Sequence, residues 1–259
     1  MKSHILVFLT VFCLLFCGCH PAKTASPAAA KNFPPARSLL VVPFDTAGAQ
    51  AFLLVRLSDG GNVSISTYPR ETVFSETADD STLYTLFADG NAGGCSRVLT
   101  AFEQAGVPVD RILSVCVDDA DRGLYPLLSS LGNNLLFTNP PAFVYTKPNE
   151  SPATAAAWSA SALRQALALP RISDSDIVPY ATFRAQVAAA VTRGLSDEFG
   201  DEPDTVFSLL CAAGHSSLSP ADRAAFTALF SPSPRVRLCP VYGDTAGTGN
   251  RVRFYPRAP

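Results

Sequence analysis

Two apolar segments joined by a short polar turn constrain the fold of this chain more than any other feature. Residues 51–57 are almost entirely apolar, and residues 63–68 alternate between apolar and polar side chains with the period of two that is typical of a β-strand. The turn at residues 59–62 reads Asp-Gly-Gly-Asn, and its glycines tolerate the positive φ angles of a hairpin. A further apolar run, at residues 38–42, precedes these two segments in the chain. The sequence therefore predicts a sheet that begins with three strands, two of them in a hairpin.

Helix and strand patterns alternate in the rest of the chain. Helices are predicted over residues 96–105 and 121–131, each followed by a glycine that can end it, with a strand over residues 111–117 between them. Another helix is predicted over residues 179–194, with apolar positions at helical spacing at Val187, Val191 and Leu195. The alternation predicts an α/β fold in a single domain, with a central mixed β-sheet flanked by helices.

The C-terminal part predicts one more helix and a hairpin. Residues 219–222 read Ser-Pro-Ala-Asp, which places a cap residue, a proline and an early acid in the order that opens a helix. Its buried side is predicted to contain Phe226, Leu229 and Phe230. Residues 235–241 and 251–255 are predicted to pair with each other, with the glycine-rich residues 243–250 as their loop.

The N-terminus combines a basic residue, an apolar run and a cysteine. Lys2 precedes an apolar run at residues 5–16, and Gly18 and Cys19 follow it. The run is too short to span a hydrocarbon core, which needs about 20 apolar residues. Because residues 15–19 resemble the bacterial lipobox, we expect cleavage before Cys19 and lipidation of its thiol. An ordinary cleaved signal is the alternative.

This signal predicts the organisation of the whole chain. Residues 1–18 would be the signal peptide, residues 19–37 a flexible tether rich in Pro, Ala and Ser, and residues 38–259 the folded domain. A lipid at Cys19 would hold the domain outside the cytoplasm, at the surface of the cell membrane.

Composition excludes some classes of site. A net charge of -2 and a pI of about 5.9 provide no electrostatic case for binding nucleic acid. Four cysteines lie in the predicted domain, and none has the close spacing of a zinc site: Cys95, Cys116, Cys211 and Cys239. Outside the cytoplasm they could form up to two disulfides or remain as small core thiols, and the sequence leaves both possibilities open.

Several segments of the predicted domain are similar, in matching order, to the segments of a known family. Residues 65–72 read Ile-Ser-Thr-Tyr-Pro-Arg-Glu-Thr and follow a strand and a hairpin, and in this they resemble the Pro-Arg-Asp-Thr motif of the LytR-CpsA-Psr family of cell-envelope proteins. Residues 105–112, 125–132 and 165–171 are similar to three later family segments: Leu-Gly-Ile-Pro-Ile-Asp-Tyr-Tyr, Leu-Val-Asp-Ala-Leu-Gly-Gly and Gln-Ala-Leu-Ala-Tyr-Val-Arg. The resemblance covers nearly all of the chain from about Ser38 onward.

The resemblance implies a site for a lipid-linked pyrophosphate. Members of the family are phosphotransferases that move glycopolymers from a polyprenyl-pyrophosphate carrier onto peptidoglycan. Arg70 and Arg171 occupy the positions of phosphate-binding, catalytic arginines, and arginine forks suit phosphate oxygens. The family also implies Mg²⁺, for which the candidate carboxylate ligands are Asp45, Asp174 and Asp176. The expected partners are a polyprenyl-phosphate lipid or its linked glycopolymer, and peptidoglycan.

Departures from the family pattern concern the catalytic machinery. Gln50 stands where the family has an aspartate that helps to hold magnesium, and Ser173 and Pro179 stand near positions where it has arginines. One preorganised contact in a transition state is worth about 10²–10³ in rate, so these losses favour weak catalysis or none. The sequence thus favours a divergent binding protein with the fold of the family. An active phosphotransferase with rearranged metal ligands is the alternative.

Overall fold

A seven-stranded mixed sheet forms the centre of the protein. The computed structural model describes residues 37–45, 48–58, 62–74, 81–88, 93–116, 135–138, 155–158, 177–199, 201–212, 214–223 and 235–257, all of which belong to the compact unit Pro35–Pro259. Its strands are β1 Ser38–Asp45, β2 Gly48–Ala49, β3 Ala51–Ser58, β4 Asn62–Pro69, β5 Arg111–Cys116, β8 Gly214–Ser216 and β9 Arg235–Leu238. The sheet order is β8-β5-β1-β3-β4-β9, with β2 paired to β1 beside this path.

Strand directions in this sheet are mixed, as the sequence predicts. β1 pairs antiparallel with β3 and parallel with β5, and β4 pairs antiparallel with β3 and parallel with β9. The predicted hairpin is confirmed, because β3 and β4 pair along their whole length from Ala51 opposite Pro69 to Ser58 opposite Asn62. Two further pairs lie outside the main sheet: β6 Leu135–Thr138 with β7 Ala155–Trp158, and β10 Gly243–Ala246 with β11 Arg253–Pro256.

Four α-helices lie within the described ranges: α1 Leu83–Ala88, α2 Gly93–Gln104, α3 Ile177–Phe199 and α4 Pro203–Ala212. The predicted helix over residues 96–105 corresponds to α2, which ends before Gly106, a residue with a φ of 70°. The predicted helix over residues 179–194 corresponds to the longer α3. The helix predicted over residues 121–131 lies outside the described residues. Within the described part, no helix combines the length and apolar character that crossing a membrane requires.

Alternate strand residues build a separate core on each face of the sheet. On one face, β4 contributes Val63 and Ile65, which pack with Phe183 and other residues of α3. On the other face, β3 contributes Phe52 and Leu54, which pack with α1 and α2 residues such as Phe102. Because residues i and i+2 of a strand share a face, the period of two in the sequence supplies both cores. Helices therefore cover the sheet from both sides.

The C-terminal pairing differs from the prediction. Residues 235–241 do not pair with residues 251–255; instead, β9 joins the main sheet beside β4, and β11 pairs with β10, which lies in the predicted loop. The prediction was wrong because it considered only neighbouring segments. Val236 and Leu238 of β9 gain burial against the core cluster of α3, which a local hairpin would not supply.

A buried ion pair joins β5 to the segment where the predicted C-terminal helix begins. Residues Pro220–Asp222 form a 3₁₀ turn, and the rest of the helix predicted there lies outside the described residues. The fully buried Asp222 accepts hydrogen bonds from Ser219 N and Oγ at 2.8 Å. It also accepts two from Arg111, from Nε at 2.8 Å and Nη2 at 3.1 Å. Four donors thus satisfy this carboxylate.

The four cysteines of the domain are free and half-buried: Cys95, Cys116, Cys211 and Cys239. The sequence leaves open whether these cysteines form disulfides or remain thiols, and in the structure they are thiols. Burial raises the pKa of the Cys95 thiol above its usual value. The same effect, together with the charge of Asp222, raises the pKa of Cys211.

Candidate functional site

A small polar pocket lies where β3 and β4 meet the N-terminal half of α3. Ala51 at the start of β3 and Pro69 at the end of β4 are opposite each other in the ladder, so both line this edge of the sheet. The pocket is lined by Gln50, Ala51, Pro69, Arg70, Glu71, Ile177, Tyr180, Ala181 and Arg184. We call it the anion pocket because two of its residues are arginines.

Arg70 follows directly on the last residue of β4. Its carbonyl accepts a hydrogen bond from the backbone N–H of Tyr84 at 2.9 Å, which joins it to α1. Its guanidinium carbon lies 5.4 Å from the centre of the Tyr84 ring, and its Nε lies 3.3 Å from Oε1 of Glu71. The side chain is 33% exposed. Arg70 is therefore held by a ring and a carboxylate while part of its guanidinium remains accessible from the pocket.

Arg184 of α3 is the second arginine, and it is buried. Its Nη2 donates a long hydrogen bond of 3.4 Å to Gln50 Oε1, and its guanidinium carbon lies 5.1 Å from the centre of the Tyr180 ring. Its Nε has no hydrogen-bond partner among the described residues. Burial, together with the charge of Arg70, lowers the pKa of Arg184 to about 10. The side chain is still protonated at neutral pH, so the pocket contains a buried and incompletely paired cation.

Gln50 connects this arginine to Asp45 at the end of β1. The amide Nε2 of Gln50 donates to Asp45 Oδ2 at 2.8 Å, and its backbone N–H donates to the Pro43 carbonyl at 2.8 Å. Its Oε1 accepts the bond from Arg184. The amide of Gln50 can bond to both Asp45 and Arg184 because it contains a donor and an acceptor. Asp45, which the sequence predicts as a metal ligand, thus lies beside the pocket and is hydrogen-bonded to Gln50.

The pocket has two arginines and one carboxylate, which together favour an anion. Glu71 pairs with Arg70, and the charge of Arg70 is still a cause of the lowered pKa of Arg184, which the charges of Glu71 and Asp45 offset in part. An anion between the two arginines would offset their repulsion and accept a hydrogen bond from the buried Nε of Arg184. Phosphate and pyrophosphate have the charge and the number of acceptor oxygens that two guanidinium groups can use.

Of the residues predicted for the site, the structure places Arg70 and Asp45 close to the pocket. Arg171, Asp174 and Asp176 lie outside the described residues, so their convergence with Arg70 stays a prediction. Among the described residues, no group of three or more His, Cys, Asp or Glu side chains could share a metal ion. Of the predicted ligands, the described residues place only Asp45 near the pocket, through its hydrogen bond to Gln50, and magnesium binding stays a prediction as well.

Arg184 was missed in the sequence analysis, although its position contains a signal. Ile177, Tyr180 and Arg184 follow one another at spacings of three and four residues and line the same pocket, so they share a helix face. A single arginine in an otherwise apolar stripe is unusual, because a buried charge is costly without a partner. This pattern could have identified Arg184 before the fold was known.

A second, mostly apolar pocket adjoins the anion pocket. It lies between β4, the end of β9 and α3, and it shares Pro69 and Ala181 with the anion pocket. Its lining consists of Ile65, Thr67, Pro69, Val178, Ala181, Thr182, Ala185, Leu238, Cys239, Pro240 and Val241. The small side chains of Ala181 and Ala185 leave space between helix and sheet. We call it the apolar pocket.

Three solved structures are similar to this chain over most of its length. TagT bound to LI-WTA is 15% identical with a TM-score of 0.65, and B. subtilis TagT is 15% identical with a TM-score of 0.63. The LytR-CPS2A-psr family protein YwtF (TagT), solved with bound octaprenyl pyrophosphate lipid, is 15% identical with a TM-score of 0.60. In each comparison, 88% of both chains is covered. No protein-family model matches the sequence, and no curated protein matches it. The chain therefore has the fold of the LytR-CPS2A-psr protein TagT.

Proposed function

We propose that this protein binds a polyprenyl-phosphate or polyprenyl-pyrophosphate lipid, alone or linked to a glycopolymer. The phosphate groups bind between Arg70 and Arg184 in the anion pocket, and the first part of the lipid chain lies in the adjoining apolar pocket. The observation that carries the proposal is the buried guanidinium of Arg184, whose Nε lacks a partner among the described residues while it lines a pocket with Arg70.

The buried and incompletely paired charge of Arg184 is costly in the ligand-free protein. Burying an ionised group without full pairing costs several kcal/mol, and a protein retains such a group where a ligand completes its interactions. A hydrogen bond to a charged group contributes about 1.5–3 kcal/mol, and a pyrophosphate can accept several from two arginines. Affinity for the head group is therefore expected to depend on both Arg70 and Arg184.

The apolar pocket accounts for the lipid part of the ligand. It meets the anion pocket at Pro69 and Ala181, so one molecule with a charged head and an apolar chain can occupy both. Each buried CH₂ group of the chain would contribute about 0.8 kcal/mol. The structurally similar TagT has been solved with octaprenyl pyrophosphate lipid and with LI-WTA, which supports a ligand of this class.

Within this proposal, binding predominates and catalysis is weak or absent. In place of a carboxylate, Gln50 contributes an amide that is hydrogen-bonded to Asp45 and Arg184. Neither Oε1 nor Nε2 of Gln50 has the negative charge by which a carboxylate holds Mg²⁺.

The proposal also includes a lipid anchor at Cys19, a position outside the cytoplasm and contact with peptidoglycan.

The test measures binding of octaprenyl pyrophosphate to the full-length protein in detergent by isothermal titration calorimetry. We expect Arg70→Gln and Arg184→Gln each to weaken binding about tenfold or more, which corresponds to roughly 1.4 kcal/mol or more. Arg193→Gln is the matched control, because Arg193 lies on the same helix and is exposed. Wild-type affinity in both pocket variants would refute the proposal.

Catalysis is measured separately, as transfer of a polyprenyl-pyrophosphate-linked sugar to peptidoglycan fragments with magnesium. Equal background signals from wild type and Arg70→Ala would support a binding protein. Transfer by wild type that Arg70→Ala abolishes would instead establish the phosphotransferase.

A further inference from the structure

A buried hydroxyl group without a partner belongs to the wall of the apolar pocket. Thr67 of β4 lines this pocket and is only 5% exposed. Its Oγ1 has no hydrogen-bond partner among the described residues. Most buried polar atoms of proteins are hydrogen-bonded, because an unpaired hydroxyl in an apolar environment is costly. A ligand of the pocket is therefore a candidate for the missing partner of Thr67.

The register of β4 places Thr67 close to the anion pocket. Thr67 and Pro69 are two residues apart on the strand, so both side chains continue the face on which Ile65 packs against α3. At the usual rise of a strand, their Cα atoms are about 6–7 Å apart. Pro69 lines both pockets. Thr67 thus lies in the apolar pocket, one step along the strand from its boundary with the anion pocket.

Space for a ligand exists beside Thr67, because small residues of α3 line the same pocket. Ala181 and Ala185 contribute no bulk beyond Cβ, and the cavity has a volume of about 130 Å³. Rotation about the Cα–Cβ bond of Thr67 from one staggered rotamer to another exchanges the positions of its hydroxyl and methyl groups. The hydroxyl can therefore point into this space.

A second threonine of the pocket provides a contrast. Thr182 of α3 also lines the apolar pocket, but its Oγ1 donates a hydrogen bond of 2.9 Å to the Val178 carbonyl, one helical turn earlier. Threonine hydroxyls in helices often bond in this way to the carbonyl four residues before. Of the two threonines, Thr182 already has a partner within its own helix, whereas the Thr67 hydroxyl has none among the described residues.

We infer that the Thr67 hydroxyl donates a hydrogen bond to an oxygen of the phosphate that carries the lipid chain. The assignment rests on the proposed function, which places the phosphates between Arg70 and Arg184 and the chain in the apolar pocket. The phosphate attached to the chain then lies at the boundary near Pro69. Because the chain itself is apolar, this phosphate has the acceptor oxygens nearest to Thr67. An O–H···O bond needs about 2.7–2.8 Å between the oxygens.

Thr67 is thereby a positioning residue for the lipid. The arginines of the anion pocket can pair with any multiply charged anion, whereas a hydroxyl in the wall of the apolar pocket fixes where the head group ends and the chain begins. A hydrogen bond to a charged oxygen is stronger than one between neutral groups. Binding also pairs a hydroxyl that the ligand-free protein leaves unpaired, so the gain on binding is larger than for an exposed threonine.

The experiment compares three variants by isothermal titration calorimetry with octaprenyl pyrophosphate and the full-length protein in detergent. Thr67→Val keeps the shape of the side chain and removes the hydroxyl, whereas Thr67→Ser keeps the hydroxyl and loses one methyl group. Thr182→Val is the matched control, because it removes a hydroxyl of the same pocket that already has a partner. The Tm of each ligand-free variant is measured in parallel.

We expect Thr67→Val to bind about tenfold more weakly than wild type, and Thr67→Ser and Thr182→Val to stay within about threefold of wild type. Ligand-free Thr67→Val should nevertheless have a Tm about 2 °C or more above that of wild type, because it no longer buries an unpaired hydroxyl. A side chain that only supported the fold would lose affinity and stability together. Changes of opposite sign therefore identify a contact with the ligand.

Wild-type affinity in Thr67→Val would overturn the inference, because the hydroxyl would then be paired by water rather than by the ligand. Equal weakening in Thr67→Ser would also overturn it, since shape and not the hydroxyl would govern binding. A lowered Tm of Thr67→Val would show that the hydroxyl is paired in the free protein and would do the same. If Arg70→Gln weakens binding and Thr67→Val does not, only this inference fails. Absence of binding by wild type would instead refute the proposed function.

Discussion

Arg184→Met is expected to stabilise the ligand-free protein while it weakens anion binding. Burial, and secondly the nearby charge of Arg70, lowers the pKa of Arg184 to about 10 in the folded protein. At about 1.36 kcal/mol for each pKa unit, the charged form costs on the order of 3 kcal/mol in the folded state. Because the folded-state pKa lies below the unfolded one, this cost is present in full below about pH 10. It is relieved only as the pH rises above the folded-state pKa.

Methionine removes the charge but also some favourable contacts. The hydrogen bond to Gln50 is long at 3.4 Å, and the contact with the Tyr180 ring is worth about 0.5–1 kcal/mol. The net gain is then about 1–2 kcal/mol. For a domain of this size, each kcal/mol changes Tm by about 2–4 °C, so an increase of roughly 2–8 °C is expected.

Thermal unfolding at neutral pH, with and without pyrophosphate, measures both effects. Pyrophosphate should raise the Tm of wild type, because it binds only the folded state, and should raise the Tm of Arg184→Met by a smaller amount. Arg193→Met, an exposed position on the same helix, is the control and should alter neither value. A Tm of Arg184→Met below that of wild type, or an undiminished response to pyrophosphate, would refute the reasoning.

Three further predictions concern stability and location. Arg111→Ala removes the ion pair and two charge-assisted hydrogen bonds of the fully buried Asp222 and should lower the free energy of unfolding by about 3–5 kcal/mol in urea titrations; a loss below about 1 kcal/mol would contradict this. Gly243→Ala places a Cβ 2.4 Å from the Tyr255 carbonyl oxygen and should cost about 1–3 kcal/mol by disrupting the β10–β11 pair, measurable as a lower Tm. Cys19→Ala should move the protein from the membrane fraction to the soluble one, and retention at the membrane would argue against lipid anchoring.

The first part of the sheet could be predicted from the sequence because its signals are local. The turn chemistry of residues 59–62 and the period of two in residues 63–68 predict a hairpin, and β3 and β4 form it. The end of α2 before Gly106 is equally local, since glycine readily adopts its φ of 70°. In both cases the deciding interactions involve residues that are close in sequence.

Pairing over long distances could not be predicted in this way. β9 was expected in a hairpin, yet it pairs with β4, more than 160 residues earlier in the chain. Val236 and Leu238 carry the apolar pattern of a strand in either arrangement, so the pattern alone cannot select the partner. The selection depends on which sheet edge is available and on the apolar area that α3 helps to bury there.

The candidate site likewise depends partly on local sequence signals and partly on long-range packing. Arg70 was predicted because its segment resembles the Pro-Arg-Asp-Thr motif of a known family and because it follows a strand and Pro69, and both signals are properties of the sequence itself. The proximity of Arg70 to Arg184 depends on α3 lying against the ends of β3 and β4, which only the tertiary structure decides. The sequence by itself therefore determined the β3–β4 hairpin, the strands β1 and β5, the helices α2 and α3, and one cation. Packing brought the second cation beside it, because burial of the apolar face of α3 carries Arg184 into the pocket.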